Sequence, residues 1–190
     1  WELVRIIPEG YLWGFFTSIF AFSENDIWLG GSIMVHWNGY SYTPYGSEEN
    51  FPSGMGYVKK IWGTEEGVFI IYNNGGIVYY DNESFQQMDS GTTVHLKSIS
   101  GTGIDNVWVS GDNLNYGENI HTLLHYDGTS WNTIIETSVS NNYEEGLISG
   151  GFYGVYAHQP DSVFILTHLG LYISSTNTQG EGENISGFLD

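Results

Sequence analysis

The sequence contains no cysteine and almost no basic residues. Its 190 residues include 4 Lys and Arg against 22 Asp and Glu, which gives a formal net charge of −18. The absence of cysteine excludes disulfides, thiolate nucleophiles and cysteine-type zinc sites. The scarcity of Lys and Arg argues against binding to the phosphates of nucleic acids or to anionic lipid surfaces. We therefore expect no nucleic-acid partner.

Long apolar runs and good helix formers are also scarce. No stretch approaches ~18 consecutive apolar residues, so we expect no membrane insertion. Only two residues are alanine, whereas glycine (26 residues) and aromatic residues (16%) are abundant. Aromatic and β-branched residues favour strands, and glycine favours tight turns. A hydrophobic content of 41% argues against disorder. The composition predicts one compact all-β domain.

Four segments repeat one pattern: a small or polar residue, a β-branched residue, an aromatic and an aliphatic. Their aromatics are 41, 39 and 56 residues apart, at Trp28, Phe69, Trp108 and Phe164. A second element follows each segment, at 34–39, 77–82, 123–128 and, in degenerate form, 171–176. In this second element His36 and His125 occupy the position of Tyr79. A third element begins near an aromatic in three of the repeats, at Tyr42, Phe85 and Trp131. A further strand is expected before each repeat, at 18–22, 58–62, 96–100 and 153–158.

Each unit of about 40 residues therefore holds four short strands, which is the sequence signature of a β-propeller blade. Asn38-Gly39 and Asp127-Gly128 are tight-turn dipeptides, because both residue types tolerate a positive φ angle. We predict propeller blades over residues 1–174 and a polar tail rich in Gly and Glu at 175–190. The predicted units are a strand at 1–7 and blades at 17–45, 58–90, 94–137 and 153–174.

The segment from His125 to Trp131 carries a family resemblance. Its sequence, His-Tyr-Asp-Gly-Thr-Ser-Trp, resembles repeats of bacterial secreted and cell-surface propellers, in which a V-W-x-x-G strand precedes an h-Y-D-G-x-S-W element. The blades are also similar to kelch and Asp-box blades. They depart from kelch in the shorter Tyr-to-Trp spacing, and from the Asp-box because Asp127 and Gly128 are adjacent. The resemblance implies an extracytoplasmic protein: secreted, periplasmic or at the cell surface.

The two ends of the chain leave the number of blades open. Residues 1–6 resemble the last strand of a blade, at 131–135, and the fourth repeat lacks a convincing last strand of its own. The N-terminal strand could complete the fourth blade and close a four-bladed ring, which would remove exposed sheet edges. Alternatively, the chain is a segment of a propeller with six to eight blades. We expect either a mature chain or a piece of a longer protein.

The connections between strands predict two unequal faces. Short turns join strands one and two and strands three and four, whereas the long segments 7–16, 44–57, 112–120 and 138–152 all fall on the other face. Binding residues usually lie on loops held by a rigid scaffold. We expect this long-loop face to bind a protein or a glycan through its aromatic and acidic side chains. These candidate binding residues are Trp13, Tyr45, Glu48, Glu49, Phe51, Tyr116, Glu118, Tyr143, Glu144 and Glu145.

We expect no cofactor, with calcium as the one candidate to consider. Calcium takes oxygen ligands, which loops supply easily. The best set is Asp112, Asn113, Asn115 and Glu118, although no regular Asp-x-Asp loop supports it.

The chain offers no recognisable catalytic constellation, so we predict no catalytic residue in it. Neither a Gly-x-Ser-x-Gly motif nor a phosphate-binding loop is present. Three acidic pairs are sequence neighbours, and neighbours on a strand point in opposite directions. Sialidase-like propellers need an arginine cluster, and this chain has only Arg5. A non-catalytic scaffold is the first hypothesis. The alternatives are part of a glycan-directed enzyme with catalytic residues outside this segment, and a structural subunit of a cell-envelope assembly.

Overall fold

A computed structural model describes residues 15–46, 52–114, 119–139, 151–160, 162–167 and 170–175. These residues form fifteen β-strands, grouped in four antiparallel sheets that follow one another along the chain. No helix long and apolar enough to span a membrane occurs in this part of the chain. The predicted all-β architecture of four blades is confirmed. The strand predicted at 1–7 and most of the predicted tail, from residue 176 onward, lie outside the described residues.

Each of the first three blades has four strands joined in order. Blade 1 contains β1 (Phe16–Ser23), β2 (Asp26–Gly31), β3 (Met34–Trp37) and β4 (Tyr42–Tyr45). Blade 2 contains β5 (Val58–Thr64), β6 (Gly67–Tyr72), β7 (Ile77–Tyr80) and β8 (Phe85–Met88). Blade 3 contains β9 (Leu96–Gly103), β10 (Asn106–Leu114), β11 (Asn119–Tyr126) and β12 (Trp131–Val139). Blade 4 has three described strands, β13 (Phe152–Gln159), β14 (Ser162–Thr167) and β15 (Gly170–Ser175).

Blade 3 differs from the sequence expectation in the length of its central strands. The segment 112–120 was expected to be one of the long loops. Instead, β10 and β11 remain paired through Asp112 with His121, Asn113 with Ile120 and Leu114 with Asn119. The ladder continues past Asp112 and His121 because both are buried, and buried backbone N–H and C=O groups need hydrogen-bond partners. The connection between the two strands is therefore shorter than predicted.

The first strand of every blade carries a β-bulge at the same place. Near the start of each first strand, the pairing with the second strand skips one residue: Thr17, Lys59, Lys97 and Tyr153. A bulge bends a strand and increases its twist. Its repetition in all four blades supports the repeat assignment.

The first strands of consecutive blades lie against one another and form the inner part of the arrangement. Strand β1 contacts β5, β5 contacts β9, and β9 contacts β13. Inner-strand hydroxyls connect neighbouring blades, since Ser18 Oγ accepts a hydrogen bond from Ile61 N (3.1 Å) and Ser100 Oγ accepts one from Ala157 N (3.0 Å). Among the described residues, no comparable set of contacts joins β1 to β13.

The core lies between the blades. We call the side of a blade that meets the next blade its trailing face, and the opposite side its leading face. In blade 1 the trailing-face residues Trp28 and Met34 pack with Val58 and Ile61 on the leading face of blade 2. The same contacts recur from Phe69 and Ile77 to Leu96 and Ile99, and from Trp108 and Leu123 to Phe152 and Val155. Each such side chain contributes roughly 1.5–3 kcal/mol when fully buried.

The recurrent aromatic of the first three repeats is a packing residue, as predicted, whereas Phe164 of blade 4 is only partly buried. Trp28, Phe69 and Trp108 are at most 7% exposed. The expected equivalence of His36, Tyr79 and His125 is confirmed, because each ring lies against the aromatic of its own blade. The ring centroids are 4.2 Å apart for Trp28 and His36, 4.6 Å for Phe69 and Tyr79, and 4.3 Å for Trp108 and His125.

Candidate functional site

The short turns between the third and fourth strands close one face of the molecule. In each of the first three blades one side-chain oxygen accepts hydrogen bonds from the backbone N–H groups two and three residues further on, at 2.7–3.1 Å. The accepting residues are Asn38, Asp81 and Asp127. These bonds hold the pKa of the Asp81 and Asp127 carboxyls below its usual range. The following residues, Gly39, Asn82 and Gly128, have φ angles of 71–88°, so the predicted tight turns are confirmed.

The opposite face contains a groove across blades 1 and 2. One hollow of about 320 Å³ lies between the β2–β3 connection and the segment after β4, and is lined in part by Ser32, Tyr45 and Tyr72. A second hollow of about 450 Å³ adjoins it and extends over the β6–β7 connection to Asp89. Both hollows share residues 53–55. We call the two together the long-loop groove.

Two asparagines of the β6–β7 connection hold the segment that forms the groove. Asn73 Oδ1 accepts a hydrogen bond from Tyr57 N (2.7 Å), and Asn73 N donates one to the Tyr57 carbonyl (3.1 Å). Asn74 Nδ2 donates to the Gly54 carbonyl at 3.0 Å. These bonds fix residues 54–57 against blade 2, so the groove is supported by the scaffold.

Tyr72 lines the first hollow, and its hydroxyl is a buried donor. The residue is 2% exposed, and its hydroxyl has no hydrogen-bond partner among the described residues. Burial raises the pKa of this phenol, so the hydroxyl stays protonated and can donate. An unpaired buried hydroxyl costs about 1–3 kcal/mol. A ligand atom that accepts this proton would recover part of that cost.

Tyr45 and Met55 supply apolar surface to the same hollow. The Tyr45 ring is 4.8 Å from that of Phe85 and 6.0 Å from that of Trp28, so it is fixed at the junction of the two blades. Met55 is partly buried against the same cluster. Methionine adapts its shape to irregular partners, which suits a binding surface.

Most of the candidate binding residues lie outside the described part of the chain. Tyr45 is the one that the structure describes, and it lines the groove. The others, for which nothing structural can be stated, are Trp13, Glu48, Glu49, Phe51, Tyr116, Glu118, Tyr143, Glu144 and Glu145. That these residues lie in the long loops of one face therefore remains a prediction.

The calcium candidates are only half described. Asp112 is 1% exposed and forms an ion pair with Lys97. Asn113 already uses its side-chain oxygen to accept a hydrogen bond from His95 N (2.9 Å). Asn115 and Glu118 lie outside the described residues, within which no three His, Asp or Glu side chains form a metal-binding group. Calcium binding therefore remains a prediction.

A second polar feature, at the junction of blades 3 and 4, is enclosed. Asp112 and His121 are each 1% exposed, and they pair across β10 and β11. Burial lowers the pKa of His121, and Lys97 adds to this effect while Asp112 opposes it. The His121 ring packs edge-on to Phe152 at 5.8 Å. This cluster joins the two blades and gives the long-loop groove no reactive group.

Sequence reasoning missed Tyr72 and the two asparagines. Tyr72 ends a strand in which all six residues are buried, so its pattern predicts only core. The sequence Asn73-Asn74-Gly75-Gly76 is a recognisable turn signal. That signal predicts a turn without indicating that the side chains hold a neighbouring segment.

Comparison with known proteins identifies the architecture alone. No protein-family model matches the sequence, and no curated protein matches it. Among solved structures, the computationally designed Ika4 protein has a TM-score of 0.61 at 13% identity, with 92% of this chain and 99% of that chain covered. The WD40 domain of Neurospora crassa Pan2 has a TM-score of 0.57 at 13% identity, with 90% and 49% covered.

A third similar structure is the extracellular domain of the two-component system BT4673 from B. thetaiotaomicron. Its TM-score is 0.54 at 17% identity, with 88% of this chain and 22% of that chain covered. The fold is a β-propeller. The chain spans about half the length of the Pan2 domain and less than a quarter of the BT4673 chain.

Proposed function

We propose that this chain is a non-catalytic propeller scaffold that binds a segment of a partner protein in the long-loop groove. The supporting observation is the buried Tyr72 hydroxyl, an unpaired donor on a residue that lines a hollow whose walls are held by Asn73 and Asn74. Ligand sites typically combine apolar walls with a few placed polar groups. A third hollow of about 510 Å³ lies outside this groove, and it is lined in part by Thr129, Ser130 and Trp131, whose buried Nε1 also has no partner among the described residues.

The chemistry of the groove favours a polypeptide over a charged ligand. A backbone carbonyl can accept the Tyr72 hydroxyl proton, while Tyr45 and Met55 contact apolar side chains. The formal net charge of −18 disfavours an acidic partner and attracts a neutral or cationic one. Similarity to WD40 domains, as in Pan2, is compatible with protein binding.

An extracytoplasmic location is part of the proposal. Its support is the family resemblance of the blades and the structural similarity to a domain described as extracellular. A glycan partner remains a hypothesis, and no contact in the groove favours a glycan over a polypeptide.

Peptide selection tests the proposal directly. A random-peptide display library is selected on the protein, and the affinity of the enriched peptides is measured for Tyr72→Phe. This change keeps the ring and removes only the unpaired donor. We expect peptide binding to weaken by roughly three- to tenfold. We expect the free energy of unfolding of the free protein to stay level or rise by up to about 1 kcal/mol, because a buried unsatisfied group is removed.

Tyr79→Phe is the matched control. The Tyr79 hydroxyl donates to the Glu66 carbonyl at 3.2 Å, near the short turns of the opposite face. We expect this variant to bind the selected peptides as the wild type does. Peptides that bind Tyr72→Phe and Met55→Glu with unchanged affinity would show that the groove is not the binding surface.

A further inference from the structure

The leading face of blade 1 exposes residues that are buried in every other blade. Ile19 in blade 1 corresponds to Ile61, Ile99 and Val155, since each pairs with the aliphatic fourth residue of its repeat segment. The latter three are 4%, 8% and 8% exposed, whereas Ile19 is 68% exposed. The outer part of the same face differs, because Val35 on β3 is fully buried.

A second set of equivalent positions on the inner strands shows the same difference in exposure. Phe16 corresponds to Val58, Leu96 and Phe152, all of which precede the repeated bulge. Phe16 is 37% exposed, while the other three are at most 3% exposed. In blades 2 to 4 these positions pack on the preceding blade. Among the described residues, no preceding blade packs on the inner strand of blade 1.

Apolar residues on the trailing face of blade 4 are exposed as well, although their equivalents in the first three blades are buried. Leu171 corresponds to Met34, Ile77 and Leu123, which are 1%, 0% and 0% exposed, yet Leu171 is 43% exposed. Leu166 and Tyr156 on the same face are 50% and 60% exposed. In the first three blades, the trailing face covers two apolar residues on the inner strand of the next blade. Blade 4 has the same covering surface, but no described blade lies beneath it.

We infer that a second copy of this chain supplies the missing neighbour at both ends. The trailing face of blade 4 of one copy would pack on Phe16 and Ile19 of the other, and a two-fold axis would repeat the contact. Within one chain the described inner strands β1 and β13 do not meet as neighbouring inner strands do. The contact is of the kind already present at three junctions, and closure of the ring leaves no open edge. Two copies also amount to the length of one Pan2-sized ring, because one copy spans 49% of it.

The mass of the full chain in solution tests this inference. By analytical ultracentrifugation we expect a species of about twice 21.3 kDa. Ile19→Glu and Leu171→Glu should each weaken the association at least about tenfold, since each places a charge in an apolar contact. Ile134→Glu is the matched control, because Ile134 is 48% exposed on the outer strand β12 of blade 3. Circular dichroism of each variant checks that it folds.

Mixing the two interface variants distinguishes this arrangement from others. A mixed pair keeps one intact junction, from the unchanged blade 4 of the Ile19→Glu copy to the unchanged blade 1 of the Leu171→Glu copy. The mixture should therefore contain more two-chain species than either variant alone. A wild-type monomer, an unlimited polymer, or dissociation by Leu171→Glu but not by Ile19→Glu would each overturn the inference. None of these results bears on peptide binding in the groove.

Discussion

At the scale of single residues, Asn106 connects three strands of blade 3 to one another and to blade 4. Its Oδ1 accepts hydrogen bonds from Trp108 Nε1 (3.1 Å) and from His125 Nε2 (2.7 Å). Its Nδ2 donates to Thr102 Oγ1 (2.8 Å) and to the Pro160 carbonyl of blade 4 (3.0 Å). Every polar atom of the Asn106 side chain is thus used. The arrangement requires a proton on His125 Nε2, which the neutral imidazole supplies.

The titration of His125 gives a pH-dependence prediction. Burial lowers the pKa of His125, although Asp127 opposes the shift. As the pH falls below about 6.5, the ordinary value for histidine, the unfolded chain takes up this proton before the folded chain does. The contribution of neutral His125 to the free energy of unfolding is therefore fully present above about pH 6.5. This contribution is lost as the pH falls toward the lowered pKa of the folded state. His121, whose pKa is also lowered, acts in the same direction.

His125→Phe tests this assignment by urea denaturation between about pH 8 and pH 5. The phenyl ring can keep the stack on Trp108 but cannot titrate. We expect its unfolding free energy to fall less steeply with decreasing pH than that of the wild type, whatever its value at the highest pH. Parallel profiles for the two proteins would contradict the assignment.

At the scale of elements, the short turns follow from local chemistry. Asn-Gly and Asp-Gly were predicted to turn, and both place glycine at a positive φ angle. Blade 2 uses Asp81-Asn82 at the same place, where Asn82 has φ 71° and Nδ2 donates to the Glu65 carbonyl at 3.0 Å. Asparagine tolerates this conformation better than other residues with a Cβ, which is why the turn survives without glycine.

Substitutions at Asn82 separate backbone strain from the side-chain bond. Asn82→Ala and Asn82→Gly both lose the bond to Glu65, but only alanine is strained at a positive φ angle. We expect the alanine variant to be less stable than the glycine variant by about 1 kcal/mol in chemical denaturation. Equal stabilities would mean that the turn can relax to a different conformation.

Periodic features of the elements could be predicted, and irregular ones could not. The recurrence of Trp28, Phe69, Trp108 and Phe164 was sufficient to place the second strand of each blade. The β-bulges left no signal, because the skipped residues are as different as Thr17, Lys97 and Tyr153. The extension of β10 past Asp112 was also missed, since its polar residues are typical of a loop.

At the scale of the whole molecule, the sequence predicted the order of the blades, whereas its assignment of long loops to one face was wrong for 112–120 and remains a prediction elsewhere. It could not predict the groove, which depends on contacts between segments far apart in the chain, such as Asn74 with Gly54. Nor could it predict which apolar positions stay exposed. Ile19 and Ile61 are the same residue type at equivalent positions, and only packing against a preceding blade distinguishes them.

The claim that the long-loop groove is the binding surface is tested most directly by mapping a bound peptide. A selected peptide is titrated into isotope-labelled protein, and backbone amide chemical shifts are followed by NMR. We predict that the perturbed amides cluster at 31–33, 53–56 and 74–76, the residues that line the groove. Perturbations centred on the short turns at 38–41, 81–84 and 127–130 would contradict the claim.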